Sequence, residues 1–157
     1  MSSPALDALT STGIGFRVVR HDHVSSLAEA AARSGVDIPD VIKTIVVRRG
    51  EDDYVFVLVP GDRTISWPKL RALLGVSRLS MPDAATAKEA TGYERGTITP
   101  FGSTTVWPVV ADERVRGRTV RIGAGEHNTA FILAADDLIT AFGATIADVT
   151  DSAPDLA

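Results

Sequence analysis

The segment IPDVIKTIVVRRGEDDYVFVLVPGD, residues 38–62, decides the fold. Thr44–Arg48 and Tyr54–Val59 are rich in β-branched and aromatic residues, and Gly50–Asp53 between them is turn-like, so the segment predicts a β-hairpin. Val55–Val59 is apolar without alternation. This pattern indicates a central strand that is covered on both faces.

Helix start and stop signals surround the hairpin. Ser26 opens a capping box before an alanine-rich helix that stops at Gly35, and Ser66 and Asp83 are further N-cap candidates. Two further helices are predicted, at residues 4–12 and from Asp136 or Asp137 to 143. Further strands are predicted at residues 16–19, 105–110, 119–122 and 130–133. Strands and helices intermingle without strict alternation, which predicts an α+β fold with a mixed, curled, barrel-like sheet and flanking helices.

The 157 residues suit one domain, residues 1–157, with a helical extension at 1–15 and a frayed tail at 152–157. Cysteine is absent, which excludes disulfides, zinc–thiolate sites and a cysteine nucleophile. The net charge of −4 argues against a general nucleic-acid coat, although a local basic face could still hold one RNA end. The N-terminus does not resemble a signal peptide, and the longest apolar run is too short to span a membrane. A cytoplasmic protein without membrane contact is expected.

Two features could carry chemistry. Lys43 begins a buried strand, where a lysine can hold a phosphate or a carbonyl oxygen, although many such lysines only extend to solvent. The loop Gly92–Gly102 contains three glycines and Pro100, so its backbone N–H groups could face an oxyanion or a terminal ribose. The alternative for this loop is an ordinary connection between a helix and a strand.

A glycine-bearing turn, Gly123–Thr129, precedes the predicted strand 130–133 and contains His127, a candidate acid, base or hydrogen-bond donor. His21 and His23 would share one face of a strand, but no third ligand is evident, so no metal site is predicted. The alternating arginines would form a basic stripe on a strand, suited to phosphate or to a solvated edge. They are Arg114, Arg116 and Arg118, followed by Arg121.

Four segments of the chain, in their order, resemble the YbaK/EbsC family, which is also called the prolyl-tRNA-synthetase-associated editing domain. They are "IPDVIKTIVV", "YVFVLVPGD", "ATGYERGTITPFG" and "VRIGAGEHNTAFILAADDL". The resemblance runs from about residue 21 to residue 149. It implies a trans-editing hydrolase that cleaves mischarged aminoacyl-tRNA at its 3′ acceptor end, commonly tRNA(Pro) carrying alanine or cysteine. Editing is needed because a pocket gains only ~1–3 kcal/mol per methylene and cannot reject smaller amino acids by size alone.

The resemblance also implies the site. The implied catalytic positions are Lys43, which would place the terminal adenosine or its phosphate, and Gly96 and Pro100, whose loop would frame the aminoacyl ester. His127 is added to these catalytic candidates. The implied substrate-binding positions are Thr97, Ile98, Thr99, Phe101, Gly102, Gly125, Asn128 and Thr129. No metal or other cofactor is implied. Prolyl-tRNA synthetase is a candidate partner.

Two departures affect substrate choice. The branch that resembles Cys-tRNA(Pro) deacylase carries a serine and an aspartate where this chain aligns Gly123 and Ala130. The Asn128–Ala130 segment is closer to the Ala-tRNA(Pro)-editing branch, but that branch's His-Pro-Leu lead-in is missing, and His127 is a possible substitute.

Two other functions stay open. The first is a non-catalytic module of the same fold that binds an aminoacyl-adenosine, a nucleotide or a synthetase. The second is an unrelated esterase, for which Ser103 is the candidate nucleophile and would need a paired histidine.

Overall fold

The computed structural model describes residues 3–153. The helices are α1 (Pro4–Thr12), α2 (Leu27–Ser34), α3 (Trp67–Leu74), α4 (Ala84–Thr91) and α5 (Ala135–Phe142). The strands are β1 (Phe16–Arg20), β2 (Ile42–Gly50), β3 (Asp53–Pro60), β4 (Arg63–Ile65), β5 (Val109–Asp112), β6 (Thr119–Gly123), β7 (Thr129–Ala134), β8 (Thr145–Ala147) and β9 (Thr150–Ser152). Single 3₁₀ turns occupy Ile38–Asp40 and Glu113–Val115.

The predicted hairpin forms the centre of the molecule. Strands β2 and β3 pair antiparallel with Lys43 opposite Val59, in a sheet of order β2-β3-β5-β8 whose other pairs are parallel. Strand β3 is buried on both faces, because Phe56 packs in one apolar cluster and Val57 in a second. The expectation of a covered central strand is confirmed.

Two smaller sheets complete the described strands. One has the order β1-β7-β6 and approaches the central sheet through a bridge between Val41 and Arg121, while β4 pairs with β9. The α+β class with a mixed sheet is confirmed. The strands are divided among three sheets and do not close into a barrel.

The helix ends follow local sequence signals. The side chains of Ser26, Ser66 and Asp83 accept backbone N–H bonds at 3.1, 3.4 and 2.8 Å, as predicted for N-caps. The reciprocal bond of a capping box is absent at α2, because Glu29 instead accepts from the backbone and hydroxyl of Ser25. Helix α5 begins earlier than predicted, with Ala134 as its N-cap residue.

The predicted stripe of alternating arginines does not form, and of its four members only Arg121 lies on a strand, in β6. Asp112 ends β5 and caps the following 3₁₀ turn, so Arg114 and Arg116 lie outside any strand. Arg114 pairs with the buried Asp112 and with Asp148, and Arg118 pairs with Asp40. These carboxylates neutralise both cations, which removes the proposed phosphate-binding row.

Two further expectations concern the chain ends and the strand at 105–110. That strand begins only at Val109, because Pro108 has no N–H and contributes only its carbonyl, to the Phe56 N–H. Ser152 belongs to β9 and Ala153 donates to Asp62, so this part of the predicted tail is ordered, while 154–157 lie outside the described residues. No helix within residues 3–153 combines the length and apolar character needed to cross a membrane.

Candidate functional site

A cavity of about 790 Å³ opens between the start of α2, the start of β2, the N-terminal half of α4, the glycine loop and β6. Its size falls within the ~300–1,000 Å³ that small-molecule sites occupy. Apolar side chains form part of the wall, among them Leu27, Ala30, Val46 and Ile98. Lys43 and Gly96 both line it, so the structure brings the two strongest sequence-predicted features together.

Lys43 is half-buried in this wall, on β2. Its ammonium group donates a hydrogen bond to the Arg63 carbonyl on β4, which holds the side chain in place. Burial lowers the pKa of Lys43, and the charge of nearby Asp62 partly offsets that effect. The result is a fixed point charge beside a partly apolar cavity, where a developing negative charge would be stabilised more strongly than in water.

The loop from Gly96 to Pro100 presents alternate residues to the cavity. Gly96 has φ +89°, a left-handed conformation that favours glycine, and it lines the cavity together with Ile98. Thr97 and Thr99 point away and are buried. The hydroxyl of Thr97 donates to the Glu94 carbonyl at 2.7 Å, which fixes the turn.

The end of the loop does not reach the cavity. Pro100 and Phe101 are buried, and the Phe101 ring packs against Phe131 and Phe142. Gly102 approaches α1 so closely that a Cβ would lie 2.4 Å from the Pro4 carbonyl. Phe101 and Gly102, predicted to bind substrate, therefore contact the core and α1.

The turn Gly123–Thr129 supports the loop from behind. Gly125 has φ +80°, lies against the Tyr93 ring and donates to the Thr97 carbonyl at 2.9 Å. Tyr93 donates its hydroxyl to the Phe101 carbonyl at 2.6 Å, and burial raises the pKa of Tyr93 to about 12. Gly123 itself lines the cavity, and a Cβ there would lie 3.1 Å from the Ile98 oxygen.

The remaining predicted residues of this turn do not line the cavity. His127 is exposed, and its Nε2 lies 3.1 Å from a Glu94 carboxylate oxygen. The His127 contact lowers the pKa of Glu94. Asn128 has φ +59° and accepts from the His21 backbone, and the Thr129 hydroxyl donates to the His127 carbonyl.

Two cations of the wall, Arg121 and Arg95, are not among the site residues that the resemblance implies. Arg121 projects from β6 into the wall, two residues before Gly123, and Arg95 lies exposed in the loop beside Gly96. Period-two spacing from Gly123 along β6 would have pointed to Arg121. Thr44 also lines the cavity, and its buried hydroxyl has no hydrogen-bond partner among the described residues.

The structure gives no support to a serine esterase. The Ser103 hydroxyl is buried and has no described hydrogen-bond partner, so no described histidine activates it. His21 bonds to Arg121 and to the Asp22 carbonyl. Residues 3–153 contain no cluster of three His, Asp or Glu side chains suited to a metal ion.

Residues 21–141 match the model of the aminoacyl-tRNA editing domain family, and the match spans both Lys43 and the glycine loop. The chain belongs to this family. The resemblance to YbaK/EbsC proteins in the sequence is thereby confirmed.

Curated relatives of the editing domain include two proline–tRNA ligases. The ligase of Thermosipho melanesiensis is 34% identical over 99 residues, which cover 63% of this chain and 17% of the ligase. That of Lactobacillus acidophilus is 32% identical over 113 residues, or 70% of this chain and 19% of the ligase. The editing domain thus spans less than a fifth of the length of these relatives.

Solved structures share the whole fold of the editing domain. One is "a putative trans-editing enzyme for prolyl tRNA synthetase", with a TM-score of 0.87 and 26% identity over 97% of this chain and 99% of that one. Another, a hypothetical protein, has a TM-score of 0.86 and 26% identity over 95% of this chain and all of the other.

Proposed function

We propose that this editing domain is a trans-editing hydrolase that deacylates mischarged aminoacyl-tRNA, with tRNA(Pro) carrying alanine or cysteine as its substrate. The observation that carries the proposal is the cavity in which Lys43 faces the same space as Gly96 and Ile98. A terminal aminoacyl-adenosine is the part of the tRNA that such a cavity would hold. Kinship with proline–tRNA ligases favours tRNA(Pro) and makes prolyl-tRNA synthetase the candidate protein partner, in the cytoplasm.

The reaction is the attack of water on the ester carbonyl between the amino acid and the terminal ribose. The carbonyl oxygen becomes negative as the tetrahedral intermediate forms. The bond between the acyl carbon and the ribose oxygen then breaks, the ribose oxygen takes up the proton that the water has lost, and the free amino acid is released. Donors aimed at that oxygen are worth a few kcal/mol each in a site shielded from water. The Lys43 ammonium and the backbone of the glycine loop are the donors available in this wall.

The described wall of the cavity offers no evident general base for the water. Asp83 is the single carboxylate among the described lining residues, and no histidine lines the cavity. The Asp83 carboxylate accepts the Thr86 N–H of α4, a bond that lowers its pKa. The resemblance to the YbaK/EbsC family implies that a substrate group, such as a ribose hydroxyl or the side chain of the amino acid, helps to activate the water.

The apolar part of the wall favours a small apolar amino acid. Leu27, Ala30 and Ala87 offer no partner for a charged or strongly polar side chain, and burying such a group unpaired costs free energy. Alanine and cysteine satisfy this condition.

Purified protein incubated with Ala-, Cys-, Ser- and Pro-tRNA(Pro) tests the proposal. We expect release of alanine or cysteine and survival of Pro-tRNA(Pro). Saturable binding of a non-hydrolysable aminoacyl-adenosine analogue without any release of amino acid would instead identify a binding module.

A further inference from the structure

The cavity wall contains a cation that the hydrolysis does not use. Arg121 lies half-buried on β6, and none of the ion pairs formed within residues 3–153 includes it. Its described hydrogen-bond partners are the Ser34 hydroxyl, at 2.8 Å from Nε, and His21 Nε2, at 3.0 Å from Nη2. Half-burying a guanidinium without an anion costs free energy, and an anion supplied by a ligand would offset that cost.

The neighbouring contacts hold this guanidinium in one orientation. A guanidinium can only donate, so His21 Nε2 accepts from it, and His21 Nδ1 carries the proton that reaches the Asp22 carbonyl at 2.8 Å. Ser34 lies on α2 on the stripe that also includes Leu27 and Ala30 of the cavity wall. Neither bond uses Nη1, so that nitrogen of the guanidinium group remains available to a ligand.

The charge balance of the cavity also favours an anion. Lys43, Arg95 and Arg121 line it, and Asp83 is the one carboxylate among its described lining residues, although the whole chain carries a net charge of −4. Arg95 likewise takes part in none of the ion pairs among the described residues, and it lies exposed at the rim. The positive potential is therefore local to this cavity.

The chemistry of the substrate selects the anion. In an aminoacylated 3′ end the carboxyl group is esterified and the amino group is neutral or cationic, so the phosphodiesters are the only negative groups. A planar guanidinium fork binds phosphate oxygens in pairs. We propose that Arg121 binds the phosphodiester on the 5′ side of the terminal adenosine, with Arg95 as a weaker contact at the rim. This inference rests on the proposed function, because it assumes that the cavity receives an RNA 3′ end.

Binding of adenosine and of the dinucleotide cytidylyl-(3′→5′)-adenosine tests the proposal, because only the dinucleotide contains the phosphodiester. We expect the wild type to bind the dinucleotide more tightly, and Arg121→Gln to weaken dinucleotide binding about 10- to 100-fold with little effect on adenosine. The slope of log affinity against log salt should fall by about 0.7, the contribution of one phosphate in a single strand. Inorganic phosphate as a competitor shows whether the site accepts any phosphate or requires the nucleotide.

Three variants separate a ligand contact from a structural role. Arg118→Gln removes a cation that pairs with Asp40 outside the cavity and should bind the dinucleotide like the wild type. Ser34→Ala removes the Nε partner that orients Arg121 but keeps the charge, so it should lose less dinucleotide affinity than Arg121→Gln. Arg121→Lys keeps the charge without the fork and should retain part of the affinity, which also covers the case in which Arg121→Gln fails to fold.

Two results would overturn the proposal: an unchanged dinucleotide affinity in Arg121→Gln, or equal losses for adenosine and dinucleotide. Deacylation measured in parallel keeps the two claims apart. If the wild type and Arg121→Gln hydrolyse Ala-tRNA or Cys-tRNA equally well and with the same KM, the proposed function is supported and the phosphate site is contradicted. Dinucleotide binding that depends on Arg121, without any deacylation by the wild type, would support the phosphate site and contradict the proposed function.

Discussion

Gly61 joins β3 to β4 at a point where the structure leaves no room for a side chain. A Cβ at this position would lie 2.3 Å from the Ile38 oxygen, 2.6 Å from Leu27 Cδ2 and 3.0 Å from the Val41 oxygen. Two of these atoms belong to the backbone, and the Ile38 oxygen already accepts the Val41 N–H at 3.0 Å. Gly61→Ala must therefore displace the 3₁₀ turn as well as the flexible end of Leu27.

The cost of that displacement can be estimated. Overpacking costs about 1–3 kcal/mol, and disturbing the turn hydrogen bond costs about 1 kcal/mol more. The alanine lowers the entropy of the unfolded chain, which raises the free energy of unfolding by about 0.4–1 kcal/mol. We expect a net loss of about 2–3 kcal/mol, which corresponds to a fall in Tm of roughly 5–10 °C for a chain of this size.

Thermal and urea unfolding of Gly61→Ala measure this loss, and Gly15→Ala is the matched control. Gly15 has no heavy atom within 4 Å of a built Cβ and no left-handed φ, so its alanine should leave Tm unchanged or slightly raised. Because Leu27 and Val41 line the cavity, Gly61→Ala should also raise KM for aminoacyl-tRNA. Equal Tm values for the two variants would refute the close packing on which this reasoning depends.

Three other substitutions test the site and its support. The Cβ of Gly96→Ala would meet no atom within 4 Å, but the alanine must keep φ near +89°. We therefore expect a loss of about 1–2 kcal/mol in unfolding free energy and a fall in kcat because the loop changes its conformation. An unchanged kcat would exclude the loop from catalysis. Hydrogen bonds, the largest from Arg114, lower the pKa of Asp148 to about 2, so its stabilising effect is present above pH 4 and is lost as the pH falls towards 2. Asp148→Asn should thus have a lower Tm than the wild type at pH 7 and an equal Tm at pH 2, and parallel pH curves would contradict the ion pair. His127→Ala removes only an exposed contact to Glu94, so kcat should stay within about threefold, whereas a hundredfold loss would restore the catalytic role predicted from the sequence.

The parts of the fold that local sequence determines were predictable. The hairpin of β2 and β3 follows from two β-branched runs around a turn, and Ser26 and Ser66 cap helices through bonds to residues three positions away. The cavity positions of Lys43 and Gly96 follow from the resemblance, because both lie in segments that match the family.

Contacts between distant segments were not predictable. The pairing of β4 with β9 joins residues 87 positions apart, as in the bond from Arg63 to Thr150, and each strand has only three residues. Arg121 reaches His21 across 100 positions, a contact that the alternation of residues along β6 does not reveal. The resemblance implied a substrate-binding role for Phe101 as part of the glycine loop, whereas an apolar ring at that point gains more free energy in the core.

The most direct test of the central claim is the rate of amino-acid release from Ala-tRNA(Pro) and Cys-tRNA(Pro) by the wild type and by Lys43→Met. Methionine keeps much of the apolar stem of Lys43 and removes the ammonium group, so unfolding should change by no more than about 1–2 kcal/mol, because the lost hydrogen bond is offset by relief of burial. We predict release by the wild type and a loss of about 100-fold or more in the variant, the range seen when one oxyanion donor is removed. Survival of both charged tRNAs with the wild type, or equal rates for a folded Lys43→Met, would contradict the assignment of this cavity as a deacylation site.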